Sequence, residues 1–218
     1  HELNQPLAAI LNYAGASQRY LTQLGSSEPE AERVEHGLAR ISEQAEHAAS
    51  VIRRLRGFLR KGTRRLQQVD AAALAHEAVG LCAWEASQHQ VQIIEYAEAG
   101  LPSLQVDPIL LQQVLLNLLR NAIDANREHH PEQASQVQLR IVALDGQLCI
   151  DVIDQGAGVS AEAREQLFVP FYTSKADGLG LGLSMSQGIV EGFGGSLDAL
   201  PAESGGLCLR CLLPAASN

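Results

Sequence analysis

A narrow apolar stripe, repeated twice near the start of the chain, restricts its fold more than any other feature. Leu3, Leu7, Ile10, Ala14, Ser17, Leu21 and Leu24 recur in steps of 4, 3, 4, 3, 4 and 3. Val34, Leu38, Ile41, Ala45, Ala48, Ile52, Leu55 and Leu59 keep the same alternation. A mean step of about 3.5 residues holds one seam towards a partner along a whole helix, as in coiled coils. Gly25-Ser26-Ser27-Glu28-Pro29 separates the stripes, with glycine as the stop and proline near the next start. The reading for residues 1–65 is an antiparallel helical hairpin. Two such narrow seams bury little by themselves, so a four-helix bundle built by a homodimer is the expected state. If the first helix starts upstream of His1, Pro6 removes a backbone hydrogen bond and bends the axis one turn beyond His1, which is unusual in a purely structural bundle.

From about residue 68 the period changes. Helices are predicted over Ala71 to Gln88, Pro108 to His129, Ala161 to Leu167 and Leu183 to Phe193. Strands are predicted over Val91 to Tyr96, Val137 to Leu144, Gln147 to Ile153, Ser196 to Leu200 and Leu207 to Leu213. Asp145-Gly146 is a hairpin signal. The fold class is therefore α+β: the hairpin, then an α/β sandwich over residues 66–218 with a mixed sheet and helices on one face.

A hydrophobic content of 46% permits real cores. No uncharged apolar run approaches the length of a membrane span, and the start shows no basic-then-apolar signal pattern. A net charge of -9 argues against nucleic-acid binding. Cys208 and Cys211 have C-x-x-C spacing but no second ligand pair, and they fall on a predicted strand; with Cys82 and Cys149 they read as buried thiols in a reducing compartment. A cytoplasmic location is expected, with any membrane anchor lying upstream in a longer parent chain.

Three clusters carry chemistry. Asn117 and Asn121 share one helix face, with Asp124 close by, and their amide oxygens suit Mg²⁺; solvated asparagines are the plain alternative. Asp154-Gln155-Gly156-Ala157-Gly158 follows a strand. There glycines permit close approach of a flat ligand and Asp154 can accept from an exocyclic amine, although an ordinary turn has the same composition. Phe168-Val169-Pro170-Phe171-Tyr172-Thr173-Ser174-Lys175 leads to Gly178, Gly180 and Gly182. This stretch has the composition of a mobile lid. Gly182-Leu183-Ser184 opens a helix whose amides offer an anion site, and Lys175 can add charge at a terminal phosphate.

In this order, Asn-x-x-x-Asn-Ala, Asp-x-Gly-x-Gly, Phe-x-Pro-Phe-x-Thr-x-Lys and Gly-x-Gly-x-Gly-Leu resemble the ATP-binding domain shared by sensor histidine kinases, heat-shock-90 chaperones, type II topoisomerases and mismatch-repair ATPases. The resemblance covers residues 68–214, and Gly194-Gly195 resembles the last glycine pair. It implies a Mg-ATP site with Asp154 on the adenine amine and Asn121 and Asn117 on Mg²⁺. Gly178, Leu179, Gly180, Leu181 and Gly182 would form the lid, and Asp124, Gly156, Gly158, Tyr172, Thr173, Lys175, Leu183 and Ser184 complete the nucleotide set. Hydrolysing members carry a glutamate at the position of Asn117; an amide is a poor base, so ATP should be held without rapid hydrolysis.

His1-Glu2-Leu3-Asn4-Gln5-Pro6-Leu7 resembles the phosphoacceptor box of sensor histidine kinases, in the version of oxygen-sensing nitrogen-fixation and dicarboxylate-sensing kinases. The resemblance implies that His1 takes the γ-phosphate, that Glu2 accepts the proton from its other ring nitrogen, and that the phosphoryl group passes to an aspartate on a response-regulator receiver domain. With the hairpin turn near Pro29, the cluster from Arg53 to Arg60 comes level with His1 and could receive the phosphohistidine dianion, against the default of a solvated face. Two departures stand out. Gln5 replaces the Thr or Asn that positions water in many relatives, and Gly206-Leu207-Cys208-Leu209 replaces Gly-Thr-x-Phe. A hydrolysing ATPase or a nucleotide-binding dimeric scaffold are the alternative functions. If His1 is the literal N-terminus, no helical turn precedes it, and fraying predicts weaker self-labelling than in a longer form.

Overall fold

Two aspartates start the two long helices. Asp70 accepts from the amides of Ala72 at 2.9 Å and Ala73 at 3.2 Å. Asp107 accepts from Ile109 at 3.1 Å and Leu110 at 3.4 Å. Each satisfies donors that a first helical turn leaves unpaired. The computed structural model describes residues 10–19, 38–39, 41–42, 45, 65–173, 180–203 and 205–216. The chain divides into two units, His1–Lys61 and Gly62–Asn218.

In the first unit residues 10–19 are helical, as are 38–39, 41–42 and 45. Ala14 and Ala45, both on the predicted stripes, are buried, whereas Ile10 and Ile41 on the same stripes are exposed. His1, Glu2, Gln5, Pro6, the turn at 25–29 and the cluster from Arg53 to Arg64 lie outside the described residues.

The second unit runs β1 (Gln67–Val69), α1 (Ala71–Gln88), β2 (Val91–Ala97), β3 (Leu104–Val106), α2 (Pro108–His129), β4 (Ser135–Leu144), β5 (Gln147–Ile153), α3 (Ala161–Gln166), α4 (Gly182–Glu191), β6 (Ser196–Pro201) and β7 (Leu207–Pro214). A five-stranded sheet has the order β2-β4-β5-β7-β6. The β2–β4 pair is parallel and the other pairs are antiparallel, so the sheet is mixed. Asp145 and Gly146, at φ 49° and 77°, make the tight turn between β4 and β5 that their sequence announced. The antiparallel β1–β3 ribbon escaped the sequence reading, because three-residue strands are too short to display an alternation.

One face of the sheet carries the core. Leu139 and Ile141, Leu148, Ile150 and Val152, and Leu209, Cys211 and Leu213 alternate along β4, β5 and β7 and meet Leu111, Leu115, Leu118 and Leu119 of α2. The opposite face holds a row in register across four strands: Arg140, Asp151, Arg210 and Asp198. Asp151 is fully buried, with Arg140 Nη2 at 2.6 Å and Arg210 Nε at 2.8 Å. Burial opposes its charge, but the hydrogen bonds from Arg210 and Arg140 outweigh that and hold its carboxyl below the ordinary value. All four cysteines are free and buried. Burial pushes the thiol of Cys149 to about 11 and those of Cys208 and Cys211 to about 12, which keeps them unreactive. Among the described residues no helix is long and apolar enough to cross a membrane.

Candidate nucleotide site

The site is built along one margin of α2. Its buried stripe faces the core, and Asn117, Asn121, Asp124 and Ala125 form a half-buried row beside it. At one end of the row, Asn117 Nδ2 donates to Ser186 Oγ of α4 at 3.0 Å, and Ser186 is buried. The start of α4 comes so close that a Cβ on Gly182 would lie 2.5 Å from Asn117 Oδ1, a separation only glycine avoids. Among the described residues no side chain caps α4, whose Ser184 hydroxyl instead donates to the Leu181 carbonyl at 3.0 Å. Leu181 is buried, and Leu183 packs against the core.

At the other end lies the loop after β5. A Cβ on Gly156 would sit 2.9 Å from Ala125 Cβ, so glycine lets the loop press against α2. From Asn117 to Ala125 the helix rises ~12 Å, and Asn121 and Asp124 fall between the two contacts. Asp124 pairs with Arg127 at 3.4 Å.

Asp154 is 5% exposed. Its Oδ1 accepts from Gly156 N at 2.9 Å and Leu207 N at 3.0 Å, while no described residue donates to Oδ2. Burial lifts its carboxyl above the ordinary value against the lowering effect of these two amides. A buried carboxylate with one oxygen gripped and the other unused is suited to accept one further hydrogen bond from a ligand. Leu207, at the position where the family hydroxyl is common, thus meets Asp154 through its backbone.

Gln155, the next residue, is held three ways. Its amide donates to Asn126 Oδ1 at 2.7 Å, its carbonyl lies 2.9 Å from His130 Nε2, and its side-chain Oε1 accepts from Gln136 N at 2.8 Å. A cleft of about 310 Å³ opens beside this loop, lined by His129, His130, Gln155, Gly156, Ala157 and Gly205.

The Phe171 amide donates to the Gly180 carbonyl at 3.0 Å. Phe171 and Gly180 both have positive φ, 69° and 63°. Tyr172 and Thr173 are on the surface. Lys175, Gly178 and Leu179 lie outside the described residues.

The sequence pattern described as "Histidine kinase-, DNA gyrase B-, and HSP90-like ATPase" matches residues 106–217. The chain belongs to this ATPase family. Within it, the chain is 39% identical over 218 residues to the sensor protein FixL of Bradyrhizobium diazoefficiens, covering 100% of this chain and 42% of that protein. The chain spans less than half the length of this sensor protein and of the C4-dicarboxylate transport sensor protein DctS of Rhodobacter capsulatus, to which it is 36% identical. Full-length ShkA in complex with AMPPNP has the same fold, at TM-score 0.78 and 24% identity, over 100% of this chain and 45% of that one. So has the histidine kinase ThkA in complex with the response regulator TrrA, at TM-score 0.71 and 16% identity, over 97% of this chain and 59% of that one.

The sequence reading of this ATPase domain missed Ser186, Asn126 and His130. For Asn126 a signal existed: it continues the apolar series Leu119, Ala122 and Ile123, where an amide is out of place without buried partners. Ser186 had none, because its role depends on α4 meeting α2.

Proposed function

We propose that the chain is the core of a sensor histidine kinase. In this reading residues 1–65 form the dimerising phosphoacceptor hairpin, a four-helix bundle in the homodimer, and residues 66–218 bind Mg-ATP. The observation that carries it is a likeness to a sensor protein that runs the whole length of the chain, so that the His1 box and the nucleotide site are matched together. The exposed Ile10 and Ile41 on the two stripes support a dimer seam.

Asp154 would accept the adenine amine through Oδ2. Among the described residues no cluster of three or more His, Cys, Asp or Glu could hold a metal alone. The amides of Asn117 and Asn121 fit an ion that arrives with phosphate oxygens of its own. Asn117 also fits in detail, since its nitrogen donates to Ser186 and no described residue donates to its side-chain oxygen. When bound, Mg²⁺ neutralises phosphate charge. The amides at the start of α4 and the lid residues, Lys175 among them, would hold the phosphates.

The chemistry then falls to His1. A lone-pair nitrogen of its neutral imidazole bonds to the γ-phosphorus as the bond to the ADP oxygen breaks, and Glu2 takes the proton from the other ring nitrogen. The phosphoryl group next passes to an aspartate of a response regulator. With an amide at 117 in place of a carboxylate base, water is not activated in its stead.

Incubation with γ-labelled ATP and Mg²⁺ tests this. The expected label is acid-labile, base-stable and lost in His1→Gln. Free phosphate released without labelled protein would replace the kinase with a hydrolase.

A further inference from the structure

We infer that Asn126 and His130 are positioning residues, a clamp that aims the Asp154 carboxylate at the exocyclic amine of the base; this rests on the nucleotide-site reading above. Asn126 is fully buried and every polar atom of its side chain is used. Its Nδ2 donates to Gln136 O at 2.9 Å and Ser135 Oγ at 3.1 Å, and its Oδ1 accepts from Gln155 N at 2.7 Å. The donor at Gln155 and the acceptor at Gln136 leave one orientation of the amide. One side chain of α2 therefore ties the start of β4 to the loop after β5.

The connection to Asp154 runs through two planar peptide groups. The first contains Asp154 O and Gln155 N, the amide held by Asn126. The second contains Gln155 O, which accepts from His130 Nε2, and Gly156 N, which donates to Asp154 Oδ1. His130 thus holds the acceptor end of the same peptide whose donor end grips the carboxylate, and hydrogen bonds in such a chain reinforce one another. With both planes fixed, rotation of the Asp154 side chain away from the base would break the Gly156 contact. A buried amide in the apolar stripe of α2 would carry a penalty without this task, since leucine or isoleucine serves its neighbours.

The test measures equilibrium binding of ATP and of purine riboside triphosphate, the same nucleotide without the 6-amino group, to the full chain. Wild type should prefer ATP. In Asn126→Leu, ATP should weaken on the order of tenfold while the deaminated analogue changes little. His130→Phe alters a half-buried position at the end of α2 and decides the matter if Asn126→Leu does not fold. It should lose the preference in the same direction, and His130→Gln, whose amide can donate to the same carbonyl, should keep it. Parallel weakening of both nucleotides in His130→Phe, or no change in either, would overturn the clamp while leaving the nucleotide site intact. A wild-type chain that binds neither nucleotide, or both equally, would overturn the base-recognition reading and the clamp with it.

Discussion

Asp154 concentrates the conflict between stability and binding in one side chain. Its carboxyl is raised above the ordinary value of 3.8 by burial, so the native state holds a proton more tightly than the unfolded chain does. That contributes stability at low pH and loses it as pH rises through the folded value; at neutral pH the ionised group costs stability. Asp154→Asn keeps an oxygen for Gly156 N and Leu207 N but places a donor where Oδ2 was. The expected outcome is an unliganded protein at least as stable at pH 7 by thermal unfolding, with ATP affinity reduced roughly 10- to 100-fold by calorimetry. Asp154 was legible in the sequence because an Asp-x-Gly-x-Gly segment after a strand is local. Its Leu207 partner was not, because 53 residues separate them and only the sheet brings them together.

Among the elements, α2 is the spine of the site, since it touches the core, α4 and the loop after β5. The Asn117–Ser186 bond joins it to α4. Ser186→Ala should lower stability by about 1 kcal/mol in urea unfolding and weaken Mg-ATP binding, because the Asn117 amide would lose the partner that orients it. The sheet has its own electrostatic joint on the other face. Folding lowers the proton affinity of Asp151, so the native state binds fewer protons than the unfolded chain. The stabilisation is full above the ordinary value of 3.8 and lost as pH falls through the lowered folded value. Asp151→Asn should cost about 1–3 kcal/mol at pH 7, discounted from a fully buried pair because both arginines reach solvent. The wild type's thermal midpoint should then fall more steeply than the variant's below pH ~4. Alternation placed these strands, but it could not say that arginines from β4 and β7 flank one aspartate, since pairing order is a tertiary fact.

At the scale of the whole molecule, the two units carry separable tasks in the proposed function. The unit from Gly62 to Asn218, made alone, is expected to bind ATP like the whole chain but to acquire no acid-labile label, while the whole chain acquires it on His1. If the shorter form labelled itself, the acceptor would lie within the ATPase domain and the role of His1 would fall.

The kinds of element, most of their positions and the order of the nucleotide motifs were legible along the chain, because period, capping and turn chemistry act over a few residues. The sequence also indicated buried thiols, since Cys208 and Cys211 fall on an apolar-rich strand with no second ligand pair to complete a metal site. Which groups meet depends on how distant segments pack. The packing of α4 on α2 gave Asn117 its serine, the pairing of β5 with β7 gave Asp154 its second amide, and the end of α2 gave the loop its Asn126 and His130. The physical reason is range: hydrogen bonds act over about 3 Å, and these partners are brought within that distance by the packing of a shared core that no local stretch of sequence contains.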